Sequence, residues 1–390
     1  MQPLPATEAQ QISTFDARGR VLAEDVRSAL DVPPADNTSM DGYALRCADV
    51  PAVGIELPIS QRIPAGVVGA PLRPGSVARI FTGAQVPAGA DAVVMQEQCE
   101  AQGDGVRINT VPQSGQWIRR RGEDVKHGAV VLSAGTRLSP QALGLAASVG
   151  AATLKVSARP RVALFSTGDE LVMPGEPLKP GAIYNSNRFT LRALIEALGC
   201  ECNDLGIVPD RLDATRDALR RAAQGNHLIV TSGGVSVGEE DHLRPAVTAE
   251  GRIDLWQIAI KPGKPLAFGE VRRADQSTAH FIGLPGNPVS SFITFLLAVR
   301  PVLMRLQGAT ESAAVGMTLR ADFDWPRPDK RREFLRVRRN AQGGLDLFPN
   351  QSSGVLTSTV WGDGVVDNPS GQAIRAGDPV RYLPFLELLS

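Results

Sequence analysis

Three short stretches of this chain combine glycine, hydroxyl and carboxylate groups in a way that suits a phosphate and a divalent cation. They are Ser166-Thr167-Gly168-Asp169-Glu170, Ser232-Gly233-Gly234-Val235-Ser236-Val237-Gly238 and Gly283-Leu284-Pro285-Gly286-Asn287-Pro288. Each stands at the end of an apolar run: RVALF, HLIVT and HFI. Glycines let backbone N–H groups approach an anion, and a helix N-terminus behind such a loop adds positive potential. Ser166, Thr167, Gly168, Ser232, Gly233, Gly234 and Ser236 therefore form a candidate anion cradle. Behind the second loop stand Glu239, Glu240 and Asp241. A carboxylate beside a phosphate repels it unless a cation lies between them, and Mg²⁺ is typically held by one or two carboxylates plus phosphate oxygens. Glu170 and Asp241 are thus candidate Mg²⁺ ligands, while Glu239 and Glu240 suit the start of a helix. The chain has no GxxxxGK[ST] motif and no GxGxxG in its opening βα turn, which disfavours a P-loop or dinucleotide fold.

Further along, AIKPGKPLAFG sets Lys261 and Lys264 around Pro262-Gly263. Two cations in a stiffened, bent segment suit an oxyanion. Two other stretches are unusual in a β-like region: MDGYALR, with Asp41 in a tight turn, and IRRRGEDVKHG, where three arginines precede Glu123 and Asp124.

Residues 159–307 supply the scaffold for these loops. RVALFST, ECNDLGIV and HLIVTSGG read as buried strands, NSNRFTLRALIEALG and DATRDALRRAAQ as amphipathic helices, and VSSFITFLLAVRPVLMRL as a long apolar helix. Alternation at this spacing implies a mostly parallel sheet with helices on both faces, which binds ligands at the carboxyl ends of its strands. All three glycine loops then emerge at one edge. Residues 31–129 show short apolar bursts between Pro, Gly and Asp turns and read as a β-rich domain. Residues 308–390 read as a compact C-terminal β domain, with strands in MTLRADFDW, REFLRVRRN, GGLDLFPN and DPVRYLPFLEL. SPQALGLAASVG reads as a helix capped by Ser139 and ended at Gly150. Residues 1–30 and 130–158 flank the β-rich domain. FDARGRVLAEDVRSAL fits helical turns and strand equally well.

The chain has 390 residues, 43% of them apolar, with 41 Lys+Arg against 41 Asp+Glu. Zero net charge argues against general nucleic-acid binding, which needs a basic excess. It leaves a small anionic ligand open. The spacing of Cys47, Cys99, Cys200 and Cys202 fits neither a disulfide framework nor a zinc site, which matches a reducing cytoplasm. The N-terminus has no signal-peptide pattern. No uninterrupted apolar run approaches the roughly 20 residues that span a bilayer, so no membrane is expected.

Taken together, DNTSMDGYALR, RIFTGAQVPAGADAVVMQE, RRRGEDV, ALFSTGDEL, TSGGVSVGEEDH, AIKPGKPLAFG and GLPGNPVSSF resemble the molybdopterin molybdenumtransferase (MoeA-type) family. The resemblance runs from about residue 16 to the C-terminus and is loosest in the last domain. It implies a multidomain α/β plus β protein with a central three-layer α/β domain, a β-rich insertion domain, a C-terminal β domain and an elongated homodimer. Residues 1–30 and 130–158 would form its linker and dimerisation domain. The implied activity is Mg²⁺-dependent insertion of molybdate into adenylylated molybdopterin (molybdopterin-AMP), giving molybdenum cofactor and AMP. The implied cleft lies between the α/β domain of one chain and the β domains of the other. Transient partners would be the molybdopterin adenylyltransferase of the preceding step and apo-molybdoenzymes.

By the same resemblance, functional positions fall on Asp41, Thr82, Asp124, Asp210, Lys261 and Lys264, with metal ligands at Glu170 and Asp241. Pro285, Pro288 and Ser290 come from the LPGNP stretch, and Arg336 and Ser353 from REFLR and QSSG as oxyanion contacts. Asn185 stands where the family commonly has Asp, and Gln257 where it can have Lys. The family usually carries about a helix more before the first motif. Competing expectations are an adenylyltransferase-like enzyme, a non-catalytic cofactor-pathway scaffold, and a preference for tungstate.

Overall fold

The computed structural model describes residues 4–235, 242–310 and 313–389. Its centre is a six-stranded sheet built from β1 (Arg161–Thr167), β2 (Glu201–Val208), β3 (Leu228–Ser232), β4 (Gly251–Gln257), β5 (Pro265–Arg272) and β6 (Thr278–Leu284), in the order β2-β1-β3-β6-β5-β4. The first four in that order run parallel. The other two add an antiparallel edge.

Strand periodicity explains why β1 and β3 read as unbroken apolar runs. Successive side chains point to opposite faces, and here both faces are covered. Val162, Leu164, Leu228 and Val230 enter one core, while Ala163, Phe165 and Ile229 enter the other. The first core is closed by α2 (Ser186–Ala197) and α5 (Pro288–Leu306), the second by α3 (Leu212–Ala223) and α4 (Leu243–Glu250). Helix α2 starts where Asn185 Oδ1 accepts the Arg188 N–H at 3.1 Å. It buries Leu191, Leu194 and Ile195 on one stripe and stops at Gly199, with φ +78°. Helix α3 carries Asp213 in its first turn and Arg220 and Arg221 in its last, as the helix dipole favours.

Helix α5 is long and apolar enough to cross a membrane by length and composition, but 72% of that stretch is buried within the protein. Its middle, Phe295–Val299, is a π-helical turn, and both ends pack in the first core.

The chain runs through the N-terminal region twice. Ala9–Ser13 pairs with Thr153–Ser157, and Val26–Arg27 with Val130–Leu132. The doubtful stretch near residue 20 resolves into a single 3-10 turn at Thr14–Asp16 followed by that short strand. Helix α1 (Pro140–Ser148) packs against the same pairs, with the Ser139 hydroxyl accepting the Ala142 N–H at 3.2 Å. Between the two passages lies a module with its own six-stranded sheet. The two chain crossings into it lie side by side. Val32 and Val125 bridge, Asp31 accepts from Arg121 and the His127 N–H, and Asp36 accepts from Arg120 and the Arg121 N–H.

At the C-terminus, five strands close on themselves: Met317–Ala321, β7 (Arg332–Arg339), Gly344–Leu347, Gly364–Asn368 and Pro379–Pro384. Ile260–Lys261 adds a short parallel pairing to β7. Sequence reading does not anticipate Gly364–Asn368, β4 or β5. Glycine and proline at their ends mask β4 and β5, and the first closes the barrel through long-range pairing alone.

Candidate active site

The three glycine loops meet at the carboxyl edge of β1, β3 and β6. Ser166 and Ser232 end adjacent strands, both buried, with their hydroxyls 3.2 Å apart. Gly233 takes φ +91°, and a Cβ there would lie 2.5 Å from Thr167 O. A Cβ on Gly234 would lie 2.8 Å from Thr167 Oγ1, so close packing as well as backbone conformation demands glycine at both positions. The Gly233 N–H donates to Leu284 O at 3.1 Å, and Gly286 lies against Gly233. Asn187, at the start of α2, donates to Gly286 O at 2.7 Å and steadies the third loop. Thr167 Oγ1 is buried with no hydrogen-bond partner among the described residues. A buried hydroxyl without a partner is costly, and this one sits at the centre of the cradle.

Glu170 is exposed, and its carboxylate folds back over Gly168, 2.5 Å from where a Cβ would be. Asp169 Oδ1 accepts the Asp210 N–H at 3.0 Å, so Asp210 is held to the end of β1. Ser236 and Asp241 lie outside the described residues, as do Glu239 and Glu240. Among the described residues no three of His, Cys, Asp and Glu converge as a metal cage.

The third loop ties this edge to the C-terminal barrel. Pro285 is buried, Pro288 opens α5, and the Val289 N–H donates to Ser353 O at 3.0 Å beside buried Ser290. One residue back, Ser352 O accepts from Arg336 Nη2 at 3.2 Å. Arg336 on β7 is fully buried. Its other bonds go to Ser358 Oγ and Phe334 O, and no carboxylate among the described residues faces it. Burial pushes its guanidinium down to about 10. Gln351 fixes the strand locally by bonding both the N–H and the carbonyl of Arg336.

The two lysines part company. Lys261 Nζ lies 3.2 Å from buried Glu333 and 3.4 Å from Asp329. Trp325 Nε1 and the Asp329 N–H also donate to Glu333. The Arg331 side chain, bonded to Asp329, holds that carboxyl well below the usual range. Glu333 and Arg336 fall on opposite faces of β7, so Lys261 is engaged on the face away from Arg336. Lys264 is exposed and has no carboxylate partner among the described residues. Sequence reasoning singled out Lys261 but missed Glu333 and Asp329, which hold it, and Trp325, which bonds Glu333. The only signal was the adjacent glutamate in REFLR, and its burial is set by barrel closure.

In the β-rich module, Asp41 Oδ1 accepts from both the N–H and the hydroxyl of Thr82, each at 2.7 Å. These bonds, the backbone one foremost, hold the Asp41 carboxyl below its ordinary range. Arg79 and Arg62 lie over the Phe81 ring beside this pair. Asp124 is exposed at the root of the module. Among the described residues no hydrogen bond or ion pair joins 31–129 to 159–307 within the chain. Asp41, Thr82 and Asp124 are therefore not linked to the described residues of the glycine loops of their own chain.

Asn185, the departure from the family pattern, caps α2 through its oxygen, and its buried Nδ2 has no partner among the described residues. Gln257 ends β4, opposite Pro265. The cysteines are free, and burial pushes Cys200 up to about 12 and Cys202 to about 11, away from thiolate chemistry.

Comparison with known proteins matches residues 1–150 to the MoeA N-terminal region (domain I and II), 163–305 to the probable molybdopterin binding domain and 318–385 to the MoeA C-terminal region (domain IV). A molybdopterin molybdenumtransferase of Haemophilus influenzae is 39% identical over 99% of this chain and 96% of its own length. The chain belongs to the molybdopterin molybdenumtransferase family. Another member, molybdopterin molybdenumtransferase 2 of Mycobacterium tuberculosis, is 37% identical over 90% of this chain and 89% of its own. A crystal structure of the molybdopterin biosynthesis MoeA protein of Pyrococcus horikoshii superposes with TM-score 0.85 at 29% identity, covering 98% of this chain and 96% of that one. The multidomain α/β plus β architecture is that of the molybdenumtransferases, and the chain is a transferase of this family.

Proposed function

We propose that this chain inserts molybdate into adenylylated molybdopterin, giving molybdenum cofactor and AMP. Molybdenum insertion follows from membership of the family. The adenylylated substrate is inferred from the site. One observation carries that reading: a buried guanidinium with no counter-anion among the described residues, Arg336, is tied through Ser352 and Ser353 to the loop that closes the glycine cradle. A small dianion and a phosphate are thereby offered neighbouring places.

In this reading the Gly234 N–H and the Thr167 hydroxyl donate to oxygens of a phosphate seated on the loop. Arg336, with Ser290 and Ser353, holds the molybdate dianion. Exposed Lys264 supplies positive charge to the leaving AMP phosphate, while Lys261 anchors the barrel through Glu333. Glu170 suits Mg²⁺ because its carboxylate is solvent-accessible and lies against the cradle glycine, and Asp241 is its expected co-ligand. When bound, the ion would neutralise charge between these carboxylates and phosphate oxygens.

The same reading makes the protein a cytoplasmic homodimer in which the partner's module brings Asp41, Thr82 and Asp124 to the cleft. The lack of bonds between module and glycine loops within one chain, among the described residues, supports it. The adenylyltransferase of the preceding step and apo-molybdoenzymes are its expected transient contacts.

The test is AMP release from adenylylated molybdopterin with Mg²⁺, with and without molybdate, for wild type and Asp241→Ala. Molybdate-dependent release that EDTA and the variant both abolish supports the proposal. Release independent of molybdate points to another oxyanion, with tungstate the next addition. No release from folded protein points to a scaffold. Mixing Asp41→Ala and Glu170→Ala chains, each impaired alone, tests the shared cleft: turnover above that of either variant supports it, and no gain after chain exchange overturns it.

A further inference from the structure

Arg336 is not alone on its face of β7. Side chains two apart along a strand point the same way, so Arg338 stands beside it, about 7 Å further along. Across the ladder, Val337 pairs with Leu347 and Arg338 with Asp346, which sets Phe348 opposite Arg336. The Phe348 N–H donates to Arg336 O at 3.1 Å. Opposed residues share a face of the sheet. Over this face lies the short helix Thr357–Trp361. Ser358 and Trp361, three apart, project from one side of it. Ser358 Oγ accepts from Arg336 Nε at 3.2 Å, and the Arg338 guanidinium carbon lies over the Trp361 ring, 4.4 Å from its centroid. One strand and one helix thus present two matched pairs, Arg336 with Ser358 and Arg338 with Trp361.

The second pair is unusual for a structural contact. Trp361 packs edge-on against Phe348, with ring centroids 5.2 Å apart at 65°, yet neither ring enters the barrel core or the first core of the α/β domain. Trp361 stays partly exposed and Arg338 is exposed. Asp346, the carboxylate across from Arg338, accepts from Asn340 at 3.0 Å, while Arg338 lies over the indole. An exposed cation–π contact adds little stability. What this one adds is a charged plate beside the Arg336 site, because a guanidinium held over an indole offers its outer plane to a further flat ring.

We propose that Arg338 and Trp361 seat the pterin ring of the substrate, a role that rests on the reading of Arg336 as the holder of molybdate. Molybdate must meet the two sulfurs of molybdopterin, and those sulfurs sit on a ring fused to the pterin. The metal-receiving end and the pterin are therefore one rigid body. A pterin whose sulfurs reach the Arg336 site extends onto the neighbours of Arg336, and Arg338 is its neighbour on the same strand face. The adenine lies beyond the phosphate, on the side of the glycine cradle, so the plate receives the pterin and not the adenine. Arg338 and Trp361 are positioning residues: they fix the plane of the ring and touch no reacting atom.

The test has two arms, both on the full chain. In the first, neopterin, an uncharged pterin, is titrated by the quenching of its own fluorescence, and AMP separately by calorimetry. Neopterin binding is expected to weaken about tenfold in Trp361→Leu and in Arg338→Gln, to be largely kept in Trp361→Phe, and AMP binding to stay unchanged in all three. In the second, AMP release from adenylylated molybdopterin is followed with each substrate varied. The same two variants should raise KM for adenylylated molybdopterin about tenfold and leave KM for molybdate unchanged, a split that a general defect of the barrel does not produce. Should Trp361→Leu fail to fold, Arg338→Gln at the surface decides. Three results overturn the seat: neopterin binding that neither variant weakens, no neopterin binding to wild type up to about 1 mM, or loss of AMP binding in its place, which gives the plate to adenine. Wild type that releases no AMP with molybdate sinks the reaction proposed above instead, and the first arm still decides the seat.

Discussion

Glu333 and Arg336 are three residues apart on β7, both fully buried, and they face opposite ways. Glu333 meets three donors, two of them from elsewhere in the barrel and one from Lys261 in the α/β domain. Arg336 meets only neutral acceptors. One buried charge is closed off and glues two domains together. The other, next to the loop that joins the barrel to the glycine cradle, has no opposite charge among the described residues. A buried ion whose partner is missing destabilises the protein, so its presence at a loop junction marks a place where a ligand supplies the counter-charge.

This contrast can be broken by experiment. Glu333→Ala leaves Trp325 and a backbone N–H without their acceptor and takes from Lys261 the nearer of its two carboxylates, and is expected to cost about 3 kcal/mol in urea unfolding. Arg336→Met is expected to cost no more than about 1 kcal/mol by the same measurement, because apolar replacement removes an uncompensated charge. Its effect should fall on catalysis: molybdate-dependent AMP release is expected to drop about 100-fold, as when an oxyanion donor is lost. If the glutamate change proved catalytic and the arginine change structural, the assignment of the two faces would be reversed.

Next in size is Gly233→Ala. The strand-end glycine has φ +91° and no room for a Cβ against Thr167 O, so a loss of about 2 kcal/mol is expected, along with weaker binding of any phosphate probe.

The smallest effect is expected at the exposed Asp41–Thr82 pair. Asp41→Asn should leave the unfolding midpoint unchanged and lower turnover about tenfold. Because the folded-state pKa of Asp41 is lowered, its ionised contacts are complete above the ordinary carboxylate range. They are lost only as pH falls through the lower folded value. The ratio of variant to wild-type turnover should therefore be flat between about pH 5 and 8.

Legibility in the sequence follows the range of the interactions. RVALFST and HLIVTSGG are readable because a strand covered on both faces must be apolar at every position. The convergence of Ser166, Thr167, Ser232 and Gly233 then follows from parallel topology alone. Asn185 and Gly199 mark the ends of α2 by local chemistry. The partner of Lys261, in contrast, is 72 residues away and is fixed only once the barrel has closed. Gly364–Asn368 is short and polar enough to pass for a turn, yet it is buried along its length and closes that barrel. Arg336 was reached only through family resemblance, since an arginine in a strand carries no mark of being buried.

The β-rich module leaves and rejoins the rest of the chain at two adjacent points, bridged by Val32 and Val125. It is therefore a detachable cassette: joining residues 32 and 125 by a short turn removes it without cutting a strand of the central sheet or of the barrel. Any loss of turnover in such a shortened chain could then be restored by supplying the cassette on a second, catalytically silent copy.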